Sequence, residues 1–205
     1  MIYCIVPAAG RSTRFPWNKL LYIYRDKPLI VQTITNILES GFVKRVVLVT
    51  GYQHQLIESI VRKFNLEVDI AYNPDHEAGM SSSIKVGVKY IVNHANNPAG
   101  IMVNPGDAAW IHPGVYALLT VRYFENVDNY DIVVASYEGR RGHPIIFSSR
   151  LINDLLSISE EKHGLKEVIT RCQSRVLAVE TNYPGVLLDL DTVVDLLRVK
   201  STIHV

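Results

Sequence analysis

A short segment near the N-terminus combines the residue types that bind polyphosphate groups. It runs Ala8-Ala9-Gly10-Arg11-Ser12-Thr13-Arg14-Phe15-Pro16-Trp17-Asn18-Lys19 and directly follows an apolar run. The small residues at its start let backbone N–H groups approach a ligand, and successive N–H groups form an anion-binding concavity. The cations Arg11, Arg14 and Lys19, with two hydroxyl residues between them, complete a set that suits a triphosphate.

Composition alone leaves a second interpretation open, in which this segment is an ordinary solvated basic turn. The chain contains neither G-x-x-x-x-G-K-[ST] nor G-x-G-x-x-G, so it lacks the common phosphate loop and the dinucleotide fingerprint. The position of the segment in the chain favours the ligand-binding interpretation. It opens the first strand-to-helix crossover, where ligands bind in open α/β sheets.

Asp107 is the first candidate for a metal ligand. It follows an apolar run, and Mg²⁺ is usually held by one or two carboxylates together with water and substrate oxygens. Pro105-Gly106-Asp107 is also an ordinary turn sequence, so a structural aspartate stays open. Asp191 is the candidate second ligand, although it also suits the cap of a helix near Thr192. Asp189 shares its face of an extended segment and is the candidate for an acceptor contact.

Other chemistry-bearing residues also follow predicted strands. Gly51 could admit a nucleobase against the backbone, and Ser82 and Ser83 open a helix, where serines also serve as caps. A third loop, Arg140-Arg141-Gly142-His143-Pro144, places His143 shortly after two arginines, which suggests a site for the phosphate of an acceptor. The residues without ligand spacing are predicted to lie on the surface: His54, His76 and the acidic stretch 75–77.

The elements that position these residues alternate along the chain. Runs rich in Val and Ile predict strands at 2–7, 46–50, 68–72, 101–104, 132–136 and 176–179. Apolar stripes predict helices at 29–38, 56–64, 84–91, 115–124 and 193–197. This order predicts one α/β, Rossmann-like domain over 1–205, with a mixed, mainly parallel sheet flanked by helices. The nucleotide-binding half spans about 1–107 and the acceptor half about 108–205, with 145–147 and 186–188 as antiparallel edge strands.

Bulk properties exclude other classes. A net charge of +1 provides no basic field for nucleic acid, and no apolar run approaches the ~18 residues of a membrane span. Cys4 and Cys172 lack metal-ligand spacing, and Cys4 is predicted to be a buried, inert thiol. The expectation is a cytoplasmic protein that binds neither nucleic acid nor membranes.

The first loop resembles the signature A-[AG]-G-x-S-x-R-x-G-x-x-K of the nucleotidyltransferases that include the molybdenum cofactor cytidylyl- and guanylyltransferases. Four later segments resemble further family motifs in the same order: Gly79-Met80-Ser81-Ser82-Ser83-Ile84, Gly106-Asp107, Gly142-His143-Pro144 and 188–196. Three segments depart from the family pattern, which weakens inferences about the acceptor: Phe15-Pro16-Trp17, Ala108-Ala109-Trp110 and Val193-Val194.

The resemblance implies transfer of a nucleotidyl group to the phosphate of molybdopterin or the molybdenum cofactor, with release of pyrophosphate. CTP is favoured over GTP because Ala-Ala-Gly and Gly-His-Pro resemble the cytidylyl branch. Mg²⁺ is the implied cofactor, and a molybdoenzyme client is a further expected partner. The assigned residues are Lys19, Arg14 and Asp107 (catalytic); Ala8, Ala9, Gly10, Arg11, Ser12, Lys19, Gly51, Ser82 and Ser83 (nucleotide); Arg141, Gly142, His143 and Asp189 (acceptor); and Asp107 and Asp191 (metal).

Two alternatives stay open at this point. A sugar- or alditol-phosphate nucleotidyltransferase would use the same chemistry on another acceptor. A catalytically silent nucleotide-binding module that regulates or chaperones a molybdoenzyme would explain the departures around Phe15-Pro16 and Asp107.

Overall fold

The computed structural model describes residues 1–188, 190, 192 and 195. Its strands are β1 (Ile2–Ala8), β2 (Ile23–Tyr24), β3 (Lys27–Pro28), β4 (Val43–Thr50), β5 (Val68–Tyr72), β6 (Gly100–Val103), β7 (Ile132–Tyr137), β8 (Arg140–Ser148) and β9 (Val176–Glu180). Its α-helices are α1 (Leu29–Glu39), α2 (His54–Lys63), α3 (Met80–His94), α4 (Pro113–Glu125), α5 (Ile152–Ser157) and α6 (Leu165–Arg171).

The main sheet has seven strands in the order β5-β4-β1-β6-β8-β7-β9, and β2 and β3 pair separately as a small ribbon. Only β8 runs antiparallel to its neighbours in the main sheet of the described chain. The mixed, mainly parallel α/β sheet predicted from the sequence is therefore confirmed. After β5 the chain returns to the opposite side of β1 to form β6, so the strand order reverses at β1.

Helices cover both faces of this sheet because successive residues of a strand point to opposite faces. On β1, Cys4 and Val6 pack with α1, α2 and α4, whereas Ile5 packs with α3, α5 and α6. Gly87 of α3 allows a close approach to β1, since a Cβ there would lie 2.7 Å from the Ile5 Cγ2 atom. The two cores hold the carboxyl ends of β1 and β6 side by side.

Two details of the predicted topology were wrong. The run 145–147 is antiparallel but lies inside the sheet, because β8 pairs with β6 on one side and β7 on the other. The run 186–188 is not a strand: Pro184–Leu187 form a 3₁₀ turn, in which Leu188 N donates to Gly185 O at 3.3 Å. Proline at the start of this segment fixes φ and removes a backbone donor, which favours a turn over a ladder. Of the predicted helix 193–197, only Asp195 is among the described residues.

Two smaller expectations concern Cys4 and membrane spans. Cys4 is buried, as predicted, and burial raises the pKa of its thiol well above the ordinary value, which disfavours the reactive thiolate. The longest described helix is α3, with 15 residues, and none in the described part of the chain has the length and hydropathy of a bilayer span.

Asp131 anchors the start of β7 through two arginines. Arg150 Nε donates to Asp131 Oδ1 at 2.8 Å, and Arg175 Nε donates to Oδ2. Burial by itself raises the pKa of the Asp131 carboxyl, but the hydrogen bonds and charges of Arg175 and Arg150 outweigh burial and hold that pKa below the ordinary 3.8.

We expect Asp131→Asn to lower the free energy of unfolding by about 1–2 kcal/mol near neutral pH, a modest loss because both arginines are half exposed. Because the pKa of Asp131 is lower in the folded chain, its stabilisation is present above the unfolded pKa and is lost as the pH falls through the folded value. Urea unfolding should therefore show that the free energies of unfolding of the wild type and the variant become equal in acid. A difference in the free energy of unfolding that stays constant from neutral to acidic pH would contradict the prediction. Asp128→Asn, at an exposed aspartate, is the control.

Candidate functional site

A cavity of about 320 Å³, called the first cavity, opens beyond the carboxyl ends of β1 and β6. This is the point where the strand order reverses, which is where open α/β sheets bind their ligands. Three segments line it: Pro7, Ala8, Ala9, Gly10, Ser12, Thr13, Arg14, Lys19 and Leu20 at the end of β1 and after it; His76, Gly79, Met80 and Ser83 around the start of α3; and Pro105, Gly106 and Asp107 after β6.

The loop after β1 folds as a cradle of small residues followed by a turn. Ala8 and Ala9 are buried, whereas Gly10 is exposed and a Cβ there would meet no atom within 4 Å. Gly10 is therefore not required by packing, which leaves its surroundings open to a ligand. Ser12 has a φ of 52°, and its Oγ accepts a hydrogen bond from Lys19 N at 3.3 Å. This bond closes the loop and brings Lys19 to the cavity wall.

Lys19 and Asp107 face each other across the floor of the first cavity. Lys19 Nζ lies 2.6 Å from Asp107 Oδ2 and also donates to Leu190 O at 2.8 Å. Asp107 is only 6% exposed, so its carboxylate needs the lysine charge nearby. The contact to Leu190 shows that the chain near its C-terminal end returns to the loop after β1.

Side chains of α1 fix the loop that carries Asp107. Thr33 Oγ1 donates to Gly106 O at 3.0 Å, and Asn36 Nδ2 donates to Ala109 O and Ile111 O, both at 2.9 Å. Both donors are buried, so each bond is protected from water. The predicted position of Asp107 at a strand end thus becomes a rigid position on the cavity wall.

Three of the residues that depart from the family pattern, in the first and central loops, pack against one another. Phe15, Ala109, Trp110 and Leu190 belong to one buried cluster together with Leu29. The Trp110 indole N–H also donates to Leu188 O at 2.9 Å, so this residue ties the segment before Leu190 to the loop after β6. The unusual residues of the first and central loops therefore form a joint that holds three segments together.

Asn73 organises the entry into α3. Its side chain is buried, and Nδ2 donates to Ser82 Oγ at 2.8 Å and to Ser83 Oγ at 3.0 Å. Ser83, which the sequence analysis assigned to the nucleotide, lines the first cavity. Ser82 lies outside the lining, because its hydroxyl turns back to donate to Gly79 O at 2.7 Å.

Three further residues near this cavity lie in positions that differ from the expectation. Arg11 lies outside the lining, since its guanidinium pairs with Glu77 and lies 5.5 Å from the ring centroid of Tyr52. Gly51 also lies outside it and serves packing, because a Cβ there would lie 2.6 Å from the Cβ of His76. His76 itself was expected on the surface and instead lines the cavity, with a buried Nδ1 that has no hydrogen-bond partner among the described residues. Its place after β5 was the signal that could have revealed it.

A second cavity of about 550 Å³ adjoins the first, and Met80 lines both. It contains the predicted acceptor residues Arg141, Gly142 and His143, which come from β8. Gly142 is required there, because a Cβ would lie 1.9 Å from Val186 O. The remaining assigned residues, Asp189 and Asp191, lie outside the described residues. Among the residues that the structure describes, no three metal-ligating side chains form a cluster.

Known proteins share both this sequence pattern and this fold. The model of the MobA-like NTP transferase domain family matches residues 4–176. The chain is 24% identical to the molybdenum cofactor cytidylyltransferase of Escherichia coli strain K12, over 98% of this chain and 96% of that protein. A second relative, a probable molybdenum cofactor guanylyltransferase of Pyrococcus horikoshii, is 33% identical over 42% of this chain and 44% of its own length.

Solved structures extend the comparison to three dimensions. Rv0371c of Mycobacterium tuberculosis H37Rv superposes with a TM-score of 0.76 at 25% identity and covers 98% of this chain and 97% of its own. A nucleotidyl transferase of Methanothermobacter thermautotroptrophicus has the same fold, with a TM-score of 0.79 at 21% identity over 98% of this chain and 96% of its own. The family model spans most of the chain, and the chain belongs to the MobA-like NTP transferase family and is a nucleotidyltransferase.

Proposed function

We propose that this nucleotidyltransferase transfers CMP from CTP to the phosphate of molybdopterin or of the molybdenum cofactor, and releases pyrophosphate. The observation that carries the proposal is the Lys19–Asp107 pair, which faces the small-residue loop after β1 in a cavity of about 320 Å³. A cation, a carboxylate and exposed backbone N–H groups are what a triphosphate and its counter-ion require.

In the proposed reaction an acceptor phosphate oxygen attacks the α-phosphorus of CTP. The bond from that phosphorus to the oxygen bridging to the β-phosphate breaks, and pyrophosphate leaves with the bond electrons. The loop after β1 binds the departing phosphates through backbone N–H groups, while Arg14 and Lys19 offset their growing negative charge. Two anions must meet in this reaction, so positioning and charge neutralisation by these residues supply most of the rate.

Asp107 would hold a divalent cation such as Mg²⁺ in this site. It is the carboxylate that lines the first cavity among the described residues, and Mg²⁺ commonly takes one or two protein carboxylates and fills its other positions with water and phosphate oxygens. The donor set therefore fits Mg²⁺, which would neutralise charge on the phosphates when bound. Without such a cation, the Lys19 ammonium offsets the Asp107 charge.

The second cavity supports a phosphorylated acceptor next to the nucleotide. Arg140 and Arg141 of β8 line it, and Met80 lines both cavities. CTP is proposed over GTP because of Ala8-Ala9-Gly10 and Gly142-His143-Pro144, and because the relative matched over nearly its whole length is named a cytidylyltransferase. A molybdoenzyme that receives the product is the proposed client.

The test offers CTP, GTP, ATP and UTP, each labelled at the α-phosphate, together with Mg²⁺ and molybdopterin. Mass spectrometry then scores the dinucleotide product. We expect the cytosine dinucleotide with CTP and little product with the other triphosphates. A dominant guanine product would overturn the nucleotide choice, and product formed only with a sugar or alditol phosphate would overturn the acceptor.

A further inference from the structure

The carboxylate of an exposed residue, Glu160, lies against the first turn of α3 and lines the second cavity. Glu160 Oε1 accepts a hydrogen bond from Ser81 N at 2.6 Å, and both residues line this cavity. The contact needs glycine at position 79, because a Cβ there would lie 2.4 Å from the Glu160 Cγ atom. Glu160 is brought in by the 3₁₀ turn Glu160–Lys162 between α5 and α6. Its position is therefore determined by backbone geometry on both sides.

A hydroxyl beside this carboxylate lacks a partner. Ser81 is only 2% exposed, and its buried Oγ makes no hydrogen bond within the described ranges of the chain. Gly164 leaves room above it, since a Cβ at that residue would lie 3.0 Å from Ser81 Oγ. Buried hydroxyl groups nearly always have a partner in the functional state. The Ser81 hydroxyl therefore points to a ligand group that enters the second cavity.

The rest of the second cavity indicates what kind of ligand would fit. Its walls are aliphatic, formed by Ile84, Ile132, Val134, Ile145, Ile169 and Leu187. Its rim carries the cations Arg140, Arg141 and Lys166. Aliphatic walls favour a weakly polar body, cations favour an anionic group, and a carboxylate with a hydroxyl favours N–H donors.

We propose that Glu160 and Ser81 determine acceptor specificity by binding an edge of adjacent N–H donors on a planar heterocycle. The inference deepens the proposed function and rests on it, since it concerns the acceptor of that reaction. A carboxylate has roughly four acceptor positions, of which the Ser81 N–H uses one. A ring that carries an amino group next to a ring N–H can use others, whereas a sugar or alditol offers no such edge. The anionic group of the same acceptor lies toward the arginines.

The experiment measures binding of two fluorescent probes to the full chain. One is 6-hydroxymethylpterin phosphate, and the other is its lumazine counterpart, in which an oxo group replaces the 2-amino group. We expect the wild type to bind the pterin at least about tenfold more tightly, because an oxo group facing a carboxylate leaves both without a donor. Glu160→Gln should reduce this preference to less than about threefold, since an amide accepts at one oxygen only.

Controls separate recognition from damage to the fold. In Glu160→Gln the new amide oxygen can still accept from Ser81 N, so CTP binding and the melting temperature should match the wild type. Glu161→Gln, at the neighbouring residue, which is exposed like Glu160, should keep the full preference for the pterin. Ser81→Ala should weaken binding of the pterin probe several-fold and leave CTP binding unchanged.

The outcomes distinguish this inference from the proposed function. If the wild type binds the pterin and Glu160→Gln retains the full preference, the role of Glu160 is wrong, while the proposed acceptor stands. If the wild type binds CTP but neither ring probe, the proposed acceptor fails along with this inference. If Glu160→Gln binds both probes and inorganic phosphate more tightly, the start of α3 is an anion site that Glu160 blocks, and the inference is overturned.

Discussion

Replacement of Lys19 by methionine is expected to lower kcat by about 10²- to 10³-fold, as happens when one charge-stabilising donor is removed from a phosphoryl- or acyl-transfer site. The Lys19 ammonium lies in the first cavity, 2.6 Å from Asp107 Oδ2, and its charge would act on the leaving pyrophosphate. Methionine retains the length and apolar stem of lysine but carries no charge. Pyrophosphate release from CTP, measured with saturating Mg²⁺ and acceptor, gives kcat.

The same substitution leaves a buried carboxylate without its cation. Asp107 is 6% exposed, so Lys19→Met should also lower the free energy of unfolding by about 1–3 kcal/mol. A double-mutant cycle with Asp107→Asn separates this effect, because the stability loss should shrink when neither charge is present. Lys27→Met, on the small ribbon, is the control. A Lys19→Met enzyme with kcat within about threefold of wild type would remove Lys19 from the catalytic machinery.

Asp107→Asn should reduce turnover by about 10³-fold or more and abolish its dependence on Mg²⁺ concentration. Asparagine has nearly the same shape, so the loop held by Thr33 and Asn36 should keep its position. The variant also releases Lys19 from its ion pair, and metal-free CTP should therefore bind at least as tightly as in the wild type. Loss of turnover with retained binding marks Asp107 as a catalytic residue rather than a structural one.

Isothermal titration with CTP and a Mg²⁺ titration of pyrophosphate release test this prediction. Asp75→Asn is the matched control, because Asp75 is an exposed aspartate in a loop near the same cavity. Wild-type turnover by Asp107→Asn would contradict the proposed metal ligand. No turnover by either protein, with equal CTP binding, would instead favour the catalytically silent module considered from the sequence.

The structure changes the interpretation of the residues that differ from the family pattern. From the sequence, Phe15-Pro16-Trp17 and Ala108-Ala109-Trp110 are deviations that weaken the assignment of function. In the folded chain, Phe15, Ala109 and Trp110 share one buried cluster with Leu190. A change in one loop is thus packed against a change in another. These contacts join segments from opposite ends of the chain, a span no local pattern could reveal.

The sequence alone predicted the fold class and the loops that line the first cavity. Buried parallel strands produce continuous apolar runs and surface helices produce apolar stripes, so both elements can be predicted locally. Ligands bind at strand ends for a topological reason, which singled out the loops carrying Lys19, Ser83 and Asp107. Edge and interior strands have similar local patterns, which is why the interior position of 145–147 was missed.

Only the tertiary structure decided which residues of those loops face the first cavity. Arg11 and Lys19 are both cations of one loop, yet Arg11 pairs with Glu77 and Lys19 with Asp107, because strand order brings different loops beside them. His76 enters the cavity for the same reason. Glu160 reaches the start of α3 across 79 residues of chain. Such pairings depend on how distant segments pack, and packing is a property of the whole fold rather than of any short stretch of residues.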